Sequence, residues 1–112
     1  MGKPGLGEFE MIVLLAALRL GEERAHTLAV VDEIVERAGR KTTRAAVYVT
    51  LQRLEKKGLV TTWLSDPRAE RGGKRRRHVR VATAGRSAVD RSRAALESLW
   101  HGLETAAGES AR

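Results

Sequence analysis

At 112 residues the chain has room for one modest hydrophobic core and not for two. Its 42% apolar content argues against disorder, and the absence of cysteine excludes disulfides and thiolate metal sites. A net charge of +7 favours polyanionic partners, while the longest apolar run, Met11 to Leu18, is far too short to span a bilayer.

After a Gly- and Pro-containing start, the segment from Leu6 predicts a helix ending near Leu20, with Gly21 as its stop. Phe9, Ile12, Val13, Ala16 and Leu20 recur at helical spacing and are expected to face inward. Met11, Leu14, Leu15 and Leu18 widen the apolar surface, so this helix needs cover on more than one side, part of it from a second subunit. A second helix is expected from Leu28 to Ala38, capped by Thr27, with Leu28, Val31, Ile34 and Val35 on its core face. After the polar link Arg40-Lys41-Thr42, a third helix runs from Thr43 to Lys57, capped by Thr42 or Thr43. Val47, Leu51 and Leu54 fall on one side of it; Arg44, Ala45, Tyr48, Gln52 and Glu55 fall on another. Two helices joined by a tight polar turn, the second with a polar outer face, predict a helix-turn-helix.

Leu59 to Leu64 reads as a strand, with Trp63 expected to cover the core. Ser65-Asp66-Pro67 opens a loop whose tip is Gly72-Gly73, and Arg76 to Ala82 alternates as a returning strand with Val79 and Val81 inward and His78 and Arg80 outward. Thr83 then caps a long helix reaching about Thr105, on which Val89, Leu96 and Leu103 recur every seven residues, with Leu99 and Trp100 between. The tail from Gly108 is expected to fray. The expected fold is therefore mainly α with a small β-hairpin: a winged helix-turn-helix over residues 6–82 and a C-terminal dimerisation helix over residues 83–107.

The charge is placed unevenly. Arg68 to Arg80 holds seven Lys or Arg against one Glu, a local net charge of +6, around the Gly72-Gly73 turn. Such a density of like charge is hard to explain by folding alone and suits a hairpin gripping a nucleic-acid backbone. Arg71, Lys74, Arg75, Arg76 and Arg77 are placed to reach phosphates or the minor groove, with Gly72 and Gly73 letting the backbone come close. On the third helix Thr42, Thr43, Arg44, Ala45 and Tyr48 are the candidates for base and backbone contact in a major groove. An ordinary solvated Arg44 and a core-covering Tyr48 are the plainer readings of those two residues.

No nucleophile motif, phosphate-cradling loop or carboxylate pair is evident, so neither an enzyme nor a cofactor is expected. His26, His78 and His101 lie far apart in sequence, without metal-ligand spacing. His78, beside the arginines, would gain charge on DNA and tighten binding at lower pH. With no secretory signal in view, a cytoplasmic location is expected.

Three segments together carry a resemblance: LGEFEMIVLLAALR from Leu6, TTRAAVYVTLQRLEKKGLV from Thr42, and ERGGKRRRHVRVATAGR from Glu70. In this order and spacing they resemble the PadR-like transcriptional regulators, in their compact subgroup with a short last helix. Two places depart from the family's pattern: His26-Thr27 stands where many relatives have a Tyr-Gly pair, and His78-Val79 where many have a Tyr near the end of the wing. The resemblance implies a homodimeric, sequence-specific DNA-binding repressor, often relieved by a small-molecule effector. Phe9, Met11, Leu15, Val89, Leu96, Leu99, Trp100 and Leu103 are then the expected dimer interface, and Trp100, paired with its symmetry mate, could line a pocket for a small aromatic effector. Interface packing is the plainer role for that Trp. Two other readings remain: a binder of nucleic acid without sequence preference, which the 4% aromatic content makes poor at base stacking, and an adaptor that keeps the fold without binding DNA.

Overall fold

Helix α1 (Glu8–Leu20) starts where the Gly7 N–H donates to Glu10 Oε1 at 2.9 Å, satisfying one of the amides a helix start leaves open. The same carboxylate accepts from Lys57 Nζ at 2.9 and 2.8 Å, which ties the start of α1 to the end of the third helix. Burial pushes the Glu10 carboxyl up. The Lys57 hydrogen bond, the Gly7 N–H and the charges of Lys57 and Arg53 outweigh it and hold the group below the usual carboxylate range. These contacts belong to a computed structural model that describes residues 5–69 and 71–104. The expected tail from Gly108, residues 105–107 of the expected last helix, residues 1–4 and Glu70 lie outside the described residues.

Val13 and Leu14 are both fully buried at the centre of the core. Leu14, expected on a flank, is thus central, whereas Phe9, Ile12 and Leu20 only rim the core. The reason is that α1 is packed by α2 (Thr27–Ala38), α3 (Arg44–Lys56), the second strand and the last helix together. Much of the cover expected from a second subunit therefore comes from the chain's own later elements.

Helix α2 begins one residue earlier than expected because His26, not Thr27, caps it. His26 is extended, and its Nδ1 accepts from the Ala29 N–H at 3.3 Å. The Thr27 hydroxyl instead donates to the Arg77 carbonyl. Val30, Val31 and Ile34 are buried; Leu28 and Val35, expected in the core, are exposed. With α1 and α3 both packed on α2, its buried stripe is turned toward Val30. Helix α3 follows its spacing closely: Thr43 Oγ1 accepts from the Ala46 N–H at 3.1 Å, and Val47, Leu51 and Leu54 are fully buried.

Strands β1 (Val60–Leu64) and β2 (Arg77–Val81) pair antiparallel, Val60 opposite Val81 and Leu64 opposite Arg77. Val60 and Val79 point to the core. Trp63 and His78 share the opposite face, stacked with ring centroids 5.6 Å apart, so Trp63 does not cover the core. The outer edge of β2 is also engaged. Val79 N–H donates to the Ala25 carbonyl at 3.0 Å, and His26 bridges His78, a pairing too short to leave a pattern in sequence. The wing loop makes two 3-10 turns, at Pro67–Ala69 and Arg71–Gly73, with Gly72 and Gly73 at φ 77° and 70°. Successive residues in that region call for glycine.

Helix α4 (Thr83–Trp100) has Ala82, not Thr83, at its N-cap. Its first turn lies so close to β1 that a Cβ on Gly85 would sit 2.2 Å from the Leu59 carbonyl oxygen. Gly85, Ala88 and Val89 are buried against the winged core, and every side chain from Arg93 to Trp100 is exposed. The helix stops at Trp100, short of the expected Thr105, because His101 leaves the helical region and Gly102 takes φ 87°. The architecture is a winged helix-turn-helix with a projecting last helix, mainly α with one hairpin.

Candidate nucleic-acid interface

The start of α2, the start of α3 and the wing converge on one groove of about 320 Å³. His26, Thr27 and Leu28 line it from α2 and Arg44 from α3; Lys74, Arg75, Arg76 and Arg77 line it from the wing. The open amides of a helix start carry partial positive charge, so five cationic residues and a helix N-terminus line the same space. Among the described residues no carboxylate lines it. Arg44, Lys74 and Arg75 are exposed and make no ion pair among the described residues. Such a surface suits the phosphates of a nucleic-acid backbone.

The residues singled out from sequence are not all equivalent. On α3, Arg44, Ala45 and Tyr48 are exposed, Thr42 is half-buried, and the Thr43 hydroxyl oxygen is occupied in capping. The Tyr48 hydroxyl accepts from Gln52 Nε2 at 3.0 Å, and the Arg77 guanidinium lies over its ring. In the wing, Gly72, Gly73, Lys74, Arg75 and Arg76 are exposed, Arg77 is half-buried, and Arg71 is placed by its backbone in the second turn. Arg76 Nη1 lies 3.0 Å from His26 Nε2. A neutral imidazole offers one acceptor nitrogen, so the α2 cap and this arginine compete for it.

His26, Thr27 and Leu28 are the members of the site that sequence reasoning missed. The departures from the family's pattern at His26-Thr27 and His78-Val79 marked both places in the sequence, but only the fold shows that the two imidazoles touch, with ring centroids 5.9 Å apart in an edge arrangement. His78, stacked on Trp63 and edge-on to His26, is half-buried on the outward face of the hairpin and does not line the cationic groove.

Of the expected dimer residues, Leu15, Leu96, Leu99, Trp100 and Leu103 are exposed, Leu99 by 75% and Trp100 by 56%. Phe9 and Met11 are half-buried against the core. Val89 is a correction: at 3% exposure it belongs to the core of the chain itself, because the first half of α4 packs on α1 and β2. Leu103 lies beyond the Gly102 break and is no longer in register with Leu96. Among the described residues there is no cluster of three potential metal ligands, and no helix is long and apolar enough to cross a membrane.

Comparison with known proteins agrees with this architecture. The family model "Transcriptional regulator PadR-like family" matches residues 14–91. RosR of H. salinarum is 25% identical, with a TM-score of 0.65 over 95% of this chain and 94% of that one. A PadR family transcriptional regulator from Eggerthella lenta is 23% identical, with a TM-score of 0.59 over 94% and 87%. A PadR-like transcription factor from Bacteroides fragilis is 18% identical, with a TM-score of 0.67 over 87% of each chain. No curated protein matches the chain in sequence.

Proposed function

We propose, from the premise that the chain belongs to the transcriptional regulator PadR-like family and is a DNA-binding transcription regulator rather than an enzyme, that it works as a homodimeric, sequence-specific repressor. Each subunit lays α3 in a major groove, with Arg44 and Ala45 toward base edges, while the wing from Arg71 to Arg76 holds the flanking backbone. The observation that carries this is the shared cationic groove, where the start of α2, Arg44 and the wing offer positive charge on one side of the fold. The outer half of α4, with Leu96, Leu99 and Trp100, is the dimerisation element, joined by Leu15 of α1. Two-fold symmetry then sets the spacing of two half-sites in a near-palindromic operator. A small aromatic effector would bind between the paired Trp100 side chains and change the distance between the recognition helices.

Selection from random duplexes, followed by fluorescence-anisotropy titration of the selected operator and a shuffled control, tests the reading. A preference of ~10³-fold or more is expected for a specific regulator. Equal, salt-sensitive affinity for both would replace it with a binder that has no sequence preference.

A further inference from the structure

Arg77 sits at the base of the wing and touches three other elements. Its guanidinium carbon lies 5.6 Å from the centroid of the Tyr48 ring on α3. Its Nη1 donates to Thr62 Oγ1 on β1 at 3.2 Å, and its carbonyl accepts from the Thr27 hydroxyl at the start of α2 at 3.4 Å. Thr62 is itself fixed, donating both its N–H and its hydroxyl to the Glu55 carboxylate of α3 at 2.9 Å. A hydroxyl has one proton to give and lone pairs to receive, so Thr62 serves Glu55 and Arg77 at once. The chain Glu55–Thr62–Arg77–Tyr48 therefore leaves α3, crosses the wing and returns to α3.

Arg77 is half-buried, with its face on the Tyr48 ring and one N–H given to the Thr62 hydroxyl, whereas Lys74 and Arg75 beside it are exposed. We propose that Arg77 and Tyr48 are positioning residues: they fix the angle between wing and recognition helix and so set sequence discrimination, while Lys74 and Arg75 supply backbone affinity. This rests on the reading of the protein as a specific DNA-binding regulator. It also revises the expectation that Arg77 and Tyr48 themselves contact DNA. Arginine is required at this position because a planar guanidinium can stack on a ring and direct an N–H sideways together; a lysine ammonium keeps the charge but not the plane.

The test compares Arg77→Lys, Arg77→Ala, Thr62→Val and Arg75→Ala for binding to the selected operator and a shuffled duplex across salt concentration. Thr62→Val breaks the same link without altering charge. Arg77→Lys, Arg77→Ala and Thr62→Val should each lower the operator preference by about tenfold, similar to one mismatched base pair, with the salt slope unchanged. Arg75→Ala should lower the slope by about 0.9 for the phosphate it no longer neutralises and keep the preference. Wild-type discrimination in Arg77→Lys or in Thr62→Val, or a slope in Arg77→Ala that falls as in Arg75→Ala, would overturn the proposal. Hydrogen exchange of the free protein separates this from failure of the underlying reading. If the wild type shows no operator preference, the regulator reading fails. Faster exchange of hairpin amides 62–64 and 77–79 in Arg77→Lys would still support the lock, and unchanged exchange would overturn it.

Discussion

Gly85 and Glu10 illustrate how single residues hold the frame that presents the interface. The missing Cβ of Gly85 lets α4 lie against the Leu59 carbonyl, and an alanine there would have to displace backbone, not a flexible side-chain tip. Gly85→Ala is expected to cost about 1–3 kcal/mol in urea unfolding, as overpacked core sites do. Glu10 links α1 to the end of α3 through Lys57, and its folded-state carboxyl is held low. A depressed carboxylate contributes stability that is fully present above its unfolded value of about 4.3 and is lost as pH falls through the folded value. Glu10→Gln should therefore flatten the loss of stability in acid below that value while lowering stability near neutrality. Urea melts of both proteins at several pH values would check it.

Among the elements, α3 and α4 differ in how far their spacing could be trusted. Helix α3 was legible almost residue by residue: the Thr43 cap, the Val47–Leu51–Leu54 stripe and the exposed Arg44 and Tyr48 all stand where the 3.6-residue period puts them. It is packed from one side, so one stripe describes it. Helix α4 has two halves with different neighbours, and one seven-residue repeat concealed this by joining a core residue, Val89, to the exposed Leu96. The outer half leaves Leu96, Leu99 and Trp100 exposed, the surface assigned to the proposed dimer. Replacing Leu96 and Leu99 together with Glu should yield a folded monomer by sedimentation. Its affinity for a two-half-site duplex should fall by about 10² or more, since a monomer engages one half-site at a time.

Across the whole molecule, charge and shape divide the work. The wing carries the concentrated charge of the sequence, and the fold brings it beside the starts of α2 and α3. DNA affinity is expected to fall steeply with salt, and Lys74→Ala with Arg75→Ala should flatten the log–log slope by roughly 0.9 for each phosphate left without its cation. An unchanged slope in the double variant would remove the wing from the interface. The fold class, the order of the elements and the basic wing were all readable, because periodicity, turn residues and charge runs are local properties. The contact between His26 and His78, the departure of Trp63 from the core and the Arg77 lock were not, since each joins positions that no local pattern relates.

By itself the sequence determined which segments are helix or strand, where the chain turns between them, and that one short stretch holds most of the positive charge. Each of those follows from neighbours within about one helical turn or one hairpin loop. Only the tertiary structure decided which apolar side chains are spent within the subunit and which arginines point outward. It placed Leu14 and Val89 in the core, left Leu99 and Trp100 uncovered, and turned Arg77 onto Tyr48 while Lys74 and Arg75 stay open to solvent. The physical reason is that burial and hydrogen-bond partnership are set by packing between elements distant in the chain, and residue type alone cannot rank these competing partners.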